Sequence, residues 1–302
     1  MSLKRFEFLV NEVRESTDTK DINSLGVYEL MRYFNDGQKL IQKIIFTSNP
    51  SADIFVKPAR YAMASGQYAY DLPFDIYAHS SVTSVQSING EDVSPPLTRL
   101  ASRERNTLSG YYLLDRQFVL TSAPSASAVS EIQVNYVYKL PNLSYRLGQV
   151  DSFDPLTGAV IVSGSTIVDD TSFTDRYDEF SIVNSKGVQV ANELDLTSFA
   201  GLGFTFSGTL DADTDKGLAG VSIGDWVVCG GNGTSHSCLP EACEPFLTSY
   251  VQRRILAKIA STEITAESAF TDQERMDLED LFKDTVKDAL YPVSADTDYL
   301  GY

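Results

Sequence analysis

Histidine is almost missing from this sequence of 302 residues: only His79 and His236 are present. Histidine is the side chain whose charge changes near neutral pH, so most acid–base, zinc and Ser-His-Asp designs would have to use one of these two. Cysteine is scarce as well. Cys229, Cys238 and Cys243 are an odd number within 15 residues, a poor disulfide framework that fits reduced thiols in a cytoplasm. Long apolar runs are also lacking. Nothing approaches the roughly 18 consecutive apolar residues that span a bilayer, and Lys4, Arg5, Glu7 and Asn11 interrupt the first apolar stretch. Neither a membrane protein nor a signal peptide is expected.

Basic charge is the remaining shortage: 24 Lys+Arg face 41 Asp+Glu, a net charge of −17. Residues 1–148 are balanced at 15 of each sign, whereas 149–235 hold 13 acids against 3 bases and 272–302 hold 9 against 3. Sixteen of the excess acids therefore lie in two segments. Nonspecific grip on nucleic acid comes from basic patches that release counterions, so this distribution argues against it. It permits a surface that nucleic acid slides past. What is present, 43% apolar residues on a chain this long, suffices for one or two domains without a disulfide or metal staple.

Residues 1–60 read as helical. Phe6, Val10 and Val13 have helical spacing, and from Val27 to Phe46 the set Val27, Leu30, Met31, Phe34, Leu40, Ile41, Ile44 and Ile45 repeats at three and four, with Ser24 as N-cap and Asn49-Pro50 as exit. Gly37 weakens that helix by about 1 kcal/mol relative to Ala. Between 61 and 142 the period shortens. Gln67–Leu72, Val82–Ile88, Tyr111–Leu114, Gln117–Leu120 and Glu131–Tyr138 predict a small antiparallel sheet or sandwich, with Asn89-Gly90 as a hairpin turn. Gln149–Phe153, Ala159–Ser163, Glu179–Val183, Gly203–Thr209 and Asp225–Gly230, separated by glycine-rich turns, predict a compact barrel. The helical period returns at Leu239. It runs through Phe246, Leu247, Tyr250, Val251, Arg254, Ile255, Lys258 and Ile259, and a capping box of Thr271 and Glu274 opens a last helix with the apolar face Met276, Leu281, Phe282, Val286 and Leu290.

The predicted fold class is therefore α+β: terminal helices (1–60 and 240–291) packed as a helical bundle, an antiparallel β domain (61–144), an inserted β-barrel-like module (145–238) and a tail (292–302).

The clusters that invite chemistry are weak. His236 has three cysteines nearby, but no C-x₂-C pair occurs, so structural thiols are the better reading and a zinc site or a reactive cysteine the lesser ones. Asp211, Asp213 and Asp215 resemble a calcium loop yet place Lys216 and Ser222 where an EF-hand needs Gly and Glu. Asp169, Asp170, Asp175, Asp178 and Glu179 form an acidic cluster, but paired catalytic carboxylates must line a cleft, and solvated loops fit better. Gly201-Leu-Gly203 leads into a strand rather than a helix, so it is no phosphate loop, and Asn232-Gly-Thr234 is a glycosylation pattern only for a secreted chain. Arg103/Arg105 and Arg253/Arg254 read as surface salt pairs. The expectation is a non-enzyme with no catalytic residue, cofactor or metal.

The order of segments carries a resemblance. Met31-Arg-Tyr-Phe-Asn35-Asp-Gly-Gln38-Lys-Leu-Ile-Gln42 resembles the helix with central Asn and Gln of tailed-bacteriophage neck proteins. Tyr68-Ala-Tyr70-Asp-Leu72-Pro73-Phe-Asp75-Ile-Tyr77 is similar to their entry into a β domain, and Glu131–Tyr138 followed by Lys-Leu-Pro141-Asn-Leu143-Ser144 to their exit from it. The segments Cys243–Ala260 and Asp272–Leu290 match the C-terminal helices of those proteins, while residues 145–235 are an insertion. The family is that of head-to-tail adaptors, close to the tubular tail protein A and gatekeeper proteins of short-tailed phages. The resemblance implies a dodecameric ring in the virion neck, assembled in the host bacterial cytoplasm. The ring's partners would be the portal protein and the next tail or neck ring, with DNA passing through unbound and no membrane involved. It also implies a C-terminal segment that docks on a neighbour. Phe282, Tyr291, Tyr299, Leu300 and Tyr302 are the candidate docking residues, because aromatics supply contact area at little rotamer entropy. The alternative is a tail component whose inserted β module binds a receptor, glycan or fibre.

Overall fold

The computed structural model describes residues 5–19, 25–49, 53–78, 81–89, 92–101, 108–122, 131–163, 173, 176–206, 218–262, 264–265 and 267–289. The chain divides into two units, Ser51–Lys139 and Met1–Pro50 with Leu140–Tyr302.

In the Ser51–Lys139 unit, alternating apolar residues make strands. β1 (Val56–Ala62), β2 (Ala69–Asp71), β3 (Val82–Asn89), β4 (Asp92–Val93), β5 (Tyr111–Leu114), β6 (Gln117–Leu120) and β7 (Glu131–Val137) form two antiparallel sheets, ordered β1-β7-β3-β4 and β2-β6-β5. Along β7, Ile132, Val134 and Tyr136 are buried while Glu131, Gln133 and Asn135 are half-exposed, the period-2 pattern of a strand with one face on a core. Both sheets feed that core: Tyr70 stacks on Phe118 at 5.1 Å, packed with Val85, Ile132 and Val134. β1 lies partly within residues expected to be helical. Its register runs from Val56↔Val137 to Ala62↔Glu131, and Pro58 is tolerated because β1 is an edge strand, bonded on one side only. Asn89, expected in a turn, is paired with Asp92 as the last residue of β3, and Gly90 lies outside the described residues.

The other unit holds α1 (Phe6–Ser16), α2 (Val27–Ser48), β8 (Asn142–Leu143), β9 (Arg146–Asp154), β10 (Ala159–Ser163), β11 (Glu179–Val183), β12 (Gln189–Ala200), β13 (Gly203–Phe206), β14 (Trp226–Cys229), β15 (Gly233–Thr234), α3 (Glu244–Ile259) and α4 (Asp272–Ala289). Six strands close an antiparallel barrel in the order β10-β13-β12-β11-β14-β9, filled by Val150, Val160, Ile182 and the rings of Phe173, Phe180, Phe204 and Phe206. Closure leaves no unpaired edge. β12 is absent from the sequence expectation, because Asn192, Glu193 and Asp195 break its alternation. The register shifts there, and Glu193 adopts a φ of 47°, a bulge that turns the strand while Ala191 and Leu194 stay buried.

The expected helical bundle is not what forms. Strand accounts for 36% of the structure and helix for 32%, with four α-helices among the described residues. α2 does pack against α3 and α4, and α1 against α3, but these helices share one unit with the barrel. The polar side of α2 also faces an extended segment rather than a helix. Gly37, a weak point by propensity, leaves room for side chains of α3: a Cβ there would lie 2.7 Å from Tyr250 Cδ1. α2 starts from Gly26 with no side-chain cap, and Ser24 is outside the described residues. Among the α4 residues whose side chains are described, Leu278 and Phe282, one turn apart, are buried, whereas Met276 and Leu281 of the expected apolar face are exposed; Val286 and Leu290 lie outside them.

Candidate functional site

Two of the ordered sequence motifs meet on α2. Asn35, Gln38 and Gln42 recur at three and four residues and so share one face of the helix. The Asn35 amide donates to Leu143 O at 3.0 Å and accepts from Leu143 N–H at 2.6 Å. Gln38 Nε2 donates to Pro141 O at 2.7 Å, and Leu140 N–H donates to Gln42 Oε1 at 3.3 Å. On its other side the same segment is held by β15: Asn142 N–H donates to Asn232 O at 2.7 Å and Ser144 N–H to Thr234 O at 2.8 Å. Gln38 and Gln42 are buried, and the bond from Leu140 N–H to Gln42 lies wholly out of solvent, where an unpaired backbone group would be costly.

The remaining motif pair meets within the Ser51–Lys139 unit. Asp75, 3% exposed, accepts from Tyr136 Oη at 2.8 Å and pairs with Lys57, and its carbonyl accepts from Lys139 N–H at 2.6 Å. The Lys57 ammonium also lies 5.2 Å from the Tyr138 ring centroid. Asp75 of the entry motif and Tyr136 of the exit strand are thus joined by a buried hydrogen bond.

The polar residues considered for catalysis or metal binding fall elsewhere. His236 is buried, with Nδ1 3.0 Å from Ser235 Oγ and the backbone of Gly187 against its ring: at φ 79° and so close to the imidazole, that position accepts no side chain. Burial, then the charges of Arg146 and Arg5, push the imidazole down to about 4. It is neutral at physiological pH. Burial pushes the Cys229 and Cys243 thiols up to about 12, far from the thiolate form a nucleophile or metal ligand needs. Cys238 Sγ contacts His236 O at 3.8 Å. Among the described residues no three His, Cys, Asp or Glu side chains are grouped to hold a metal ion. His79, Arg103, Arg105, Asp169, Asp170, Asp175, Asp211, Asp213 and Asp215 lie outside the described residues.

Arg253 is more than a surface charge. It makes two hydrogen bonds to Glu274, donates to Ala269 O at 2.6 Å, and reaches Ser249, tying α3 to the start of α4. Arg254 lies over the Tyr33 ring, 4.9 Å from its centroid. Trp226 is half-buried and its ring is covered by the Arg146 guanidinium at 4.6 Å, so that face is not an open platform for a sugar.

Among the candidate docking residues, Phe282 is 4% exposed and its carbonyl accepts from Asn49, placing it in the core rather than on a surface. Tyr291, Tyr299, Leu300 and Tyr302 lie outside the described residues. The sequence reading misses a groove of about 500 Å³ between α2 and the barrel, lined by Tyr28, Arg32, Asp36, Lys39, Arg176 and Tyr177 with Asn142. Its one signal in the sequence is Arg176, one of only three bases in the acidic stretch 149–235. No helix among the described residues is long and apolar enough to cross a membrane. No protein-family model matches this chain, and no curated protein matches it.

Proposed function

We propose that this chain is a structural, ring-forming head-to-tail adaptor of a bacteriophage virion, assembled in the host cytoplasm, that joins the portal to the next tail or neck ring and surrounds the DNA exit channel. The observation that carries the reading is the pairing of the ordered motifs. The amides of Asn35, Gln38 and Gln42 hold the exit segment Leu140–Leu143, and Asp75 of the entry motif bonds Tyr136 of the exit strand. These residues hold the fold together, which supports a scaffold role for them. The acidity supports the same reading: walls of like charge keep DNA from adhering as it passes.

A receptor- or glycan-binding role for the barrel has less support, because the chain's single tryptophan is stacked under Arg146. Negative-stain imaging of the full chain, alone and mixed with the portal of the same phage, tests the adaptor reading. Closed rings or portal-capping rings are expected. Monomers alone in both samples would overturn it.

A further inference from the structure

We propose that the junction at His236 is an acid-released latch: when the imidazole takes up a proton, the first turn of α1 parts from the segment that follows β15. The junction is short and closed. Arg5 and His236 form an isolated antiparallel bridge, and Phe6 N–H donates to Ser235 O at 2.9 Å. Phe6 is fully buried there, edge-on to Phe34 at 5.2 Å and to Tyr145 at 4.8 Å. His236 is itself 5% exposed, with Ser235 Oγ 3.0 Å from Nδ1 and Gly187 packed against the ring. Among the described residues no carboxylate bonds the imidazole.

The charges around the ring oppose a further cation. Arg146 of β9 and Arg5 both act on it, and Arg146, 7% exposed, is held over the Trp226 ring at 4.6 Å. Glu7 of α1 acts on Arg146, and Arg14 of α1 on Tyr145, whose hydroxyl is pushed up by burial to about 12 and stays neutral in acid. The turn at Gly187 carries one charged residue, the exposed Lys186. A proton on His236 therefore brings a third cation to two guanidinium groups, out of water. One wall has to give, and the two walls differ. The Gly187 side is braced: Gly187 O accepts from Thr234 Oγ1 at 2.8 Å, and Asn184 Oδ1 accepts from the N–H of Lys186 at 2.9 Å and of Val188 at 3.1 Å. The α1 side is a helix start without a side-chain cap, tied by backbone contacts at Arg5 and Phe6, and helix ends open at low cost. An imidazole released into water binds its proton near 6.5 and the latched one near 4, so opening becomes about 300-fold more favourable across that interval. The latch is independent of the adaptor reading.

The test is hydrogen exchange by mass spectrometry on the full chain at pH 7 and pH 4, corrected for the intrinsic exchange rate, beside far-UV circular dichroism. Peptides covering Phe6–Leu9 are expected to lose protection roughly tenfold or more at pH 4 while the dichroism is unchanged. Emission of Trp226, the chain's single tryptophan, should change over the same interval as Arg146 moves off its ring. His236→Gln should keep its protection and its emission down to pH 4, and Glu7→Gln should still open. Arg5→Gln removes one repelling charge and should move the midpoint to higher pH, which decides the matter if His236→Gln does not fold. Unchanged exchange at Phe6–Leu9 overturns the proposal, as does protection lost only together with the dichroism of the whole chain. Opening retained in His236→Gln, opening abolished by Glu7→Gln, or a midpoint indifferent to Arg5→Gln overturns it as well.

Discussion

Asn35 shows how much one side chain can fix. Its amide both donates to and accepts from Leu143, so its loss leaves two backbone groups of a partly buried segment without partners. Removing one partner of a buried hydrogen bond costs about 1–3 kcal/mol. Asn35→Ala is therefore expected to lower unfolding stability by roughly 2–3 kcal/mol in a urea titration, and Asn35→Asp, which keeps only the acceptor, by less. An alanine variant as stable as the parent would remove the clamp from the account. His236 makes a second prediction, in pH. The unfolded chain binds a proton on this imidazole near 6.5, whereas the folded chain refuses it until about 4. The unfolded state therefore holds more protons between those values, so stability contributed by His236 is complete above 6.5 and is lost as pH falls toward 4, by roughly 3 kcal/mol at most. His236→Gln should flatten that window of the stability–pH curve. An unchanged slope would mean that His236 is not the group responsible.

At the scale of elements, the capping box of α4 is the clearest case of a sequence signal realised in full. Thr271 N–H and Oγ1 bond Glu274 Oε2, Glu274 N–H bonds Thr271 Oγ1, and Arg253 of α3 closes on the same carboxylate. Burial pushes the Glu274 carboxyl up, but the hydrogen bonds from Arg253, Thr271 and Ser249 outweigh it and take the group from 4.5 to about 2. That depressed value means stability present above 4.5 and lost as pH falls toward 2. Glu274→Gln keeps the shape and removes the charge. It is expected to cost about 1–2 kcal/mol at pH 7 and nothing near pH 2, measured by denaturant unfolding at both. An equal loss at both pH values would contradict the ion-pair account.

The same scale explains what was legible. Helices α2 and α3 and strands β3, β5, β6, β7, β10 and β11 announce themselves because apolar residues recur at a constant period. β1 is hidden by Pro58, harmless on an edge, and β12 by the bulge at Glu193, which puts acids where alternation expects apolar residues. The helical bundle fails because period alone names a helix and not its neighbour. α2 carries amides on one face, and only the fold reveals that Leu140–Leu143 is their partner. The groove is nearly hidden for the same reason, with Arg176 its one signal: Arg32 and Arg176 are 144 positions apart in the sequence.

For the whole molecule, −17 is not a uniform coat but two acidic stretches on a balanced remainder. In the proposed adaptor, the acidic stretches would face the DNA channel or meet more basic neighbours. Such a distribution gives assembly a strong salt dependence where the contacts are exposed. The most direct measurement is mass photometry of the full chain mixed with intact portal rings. The account predicts that each portal ring gains one fixed mass, an integer multiple of the 33.2 kDa chain, in a single step as the chain is titrated. Portal rings of unchanged mass beside a chain that stays at 33.2 kDa would contradict it.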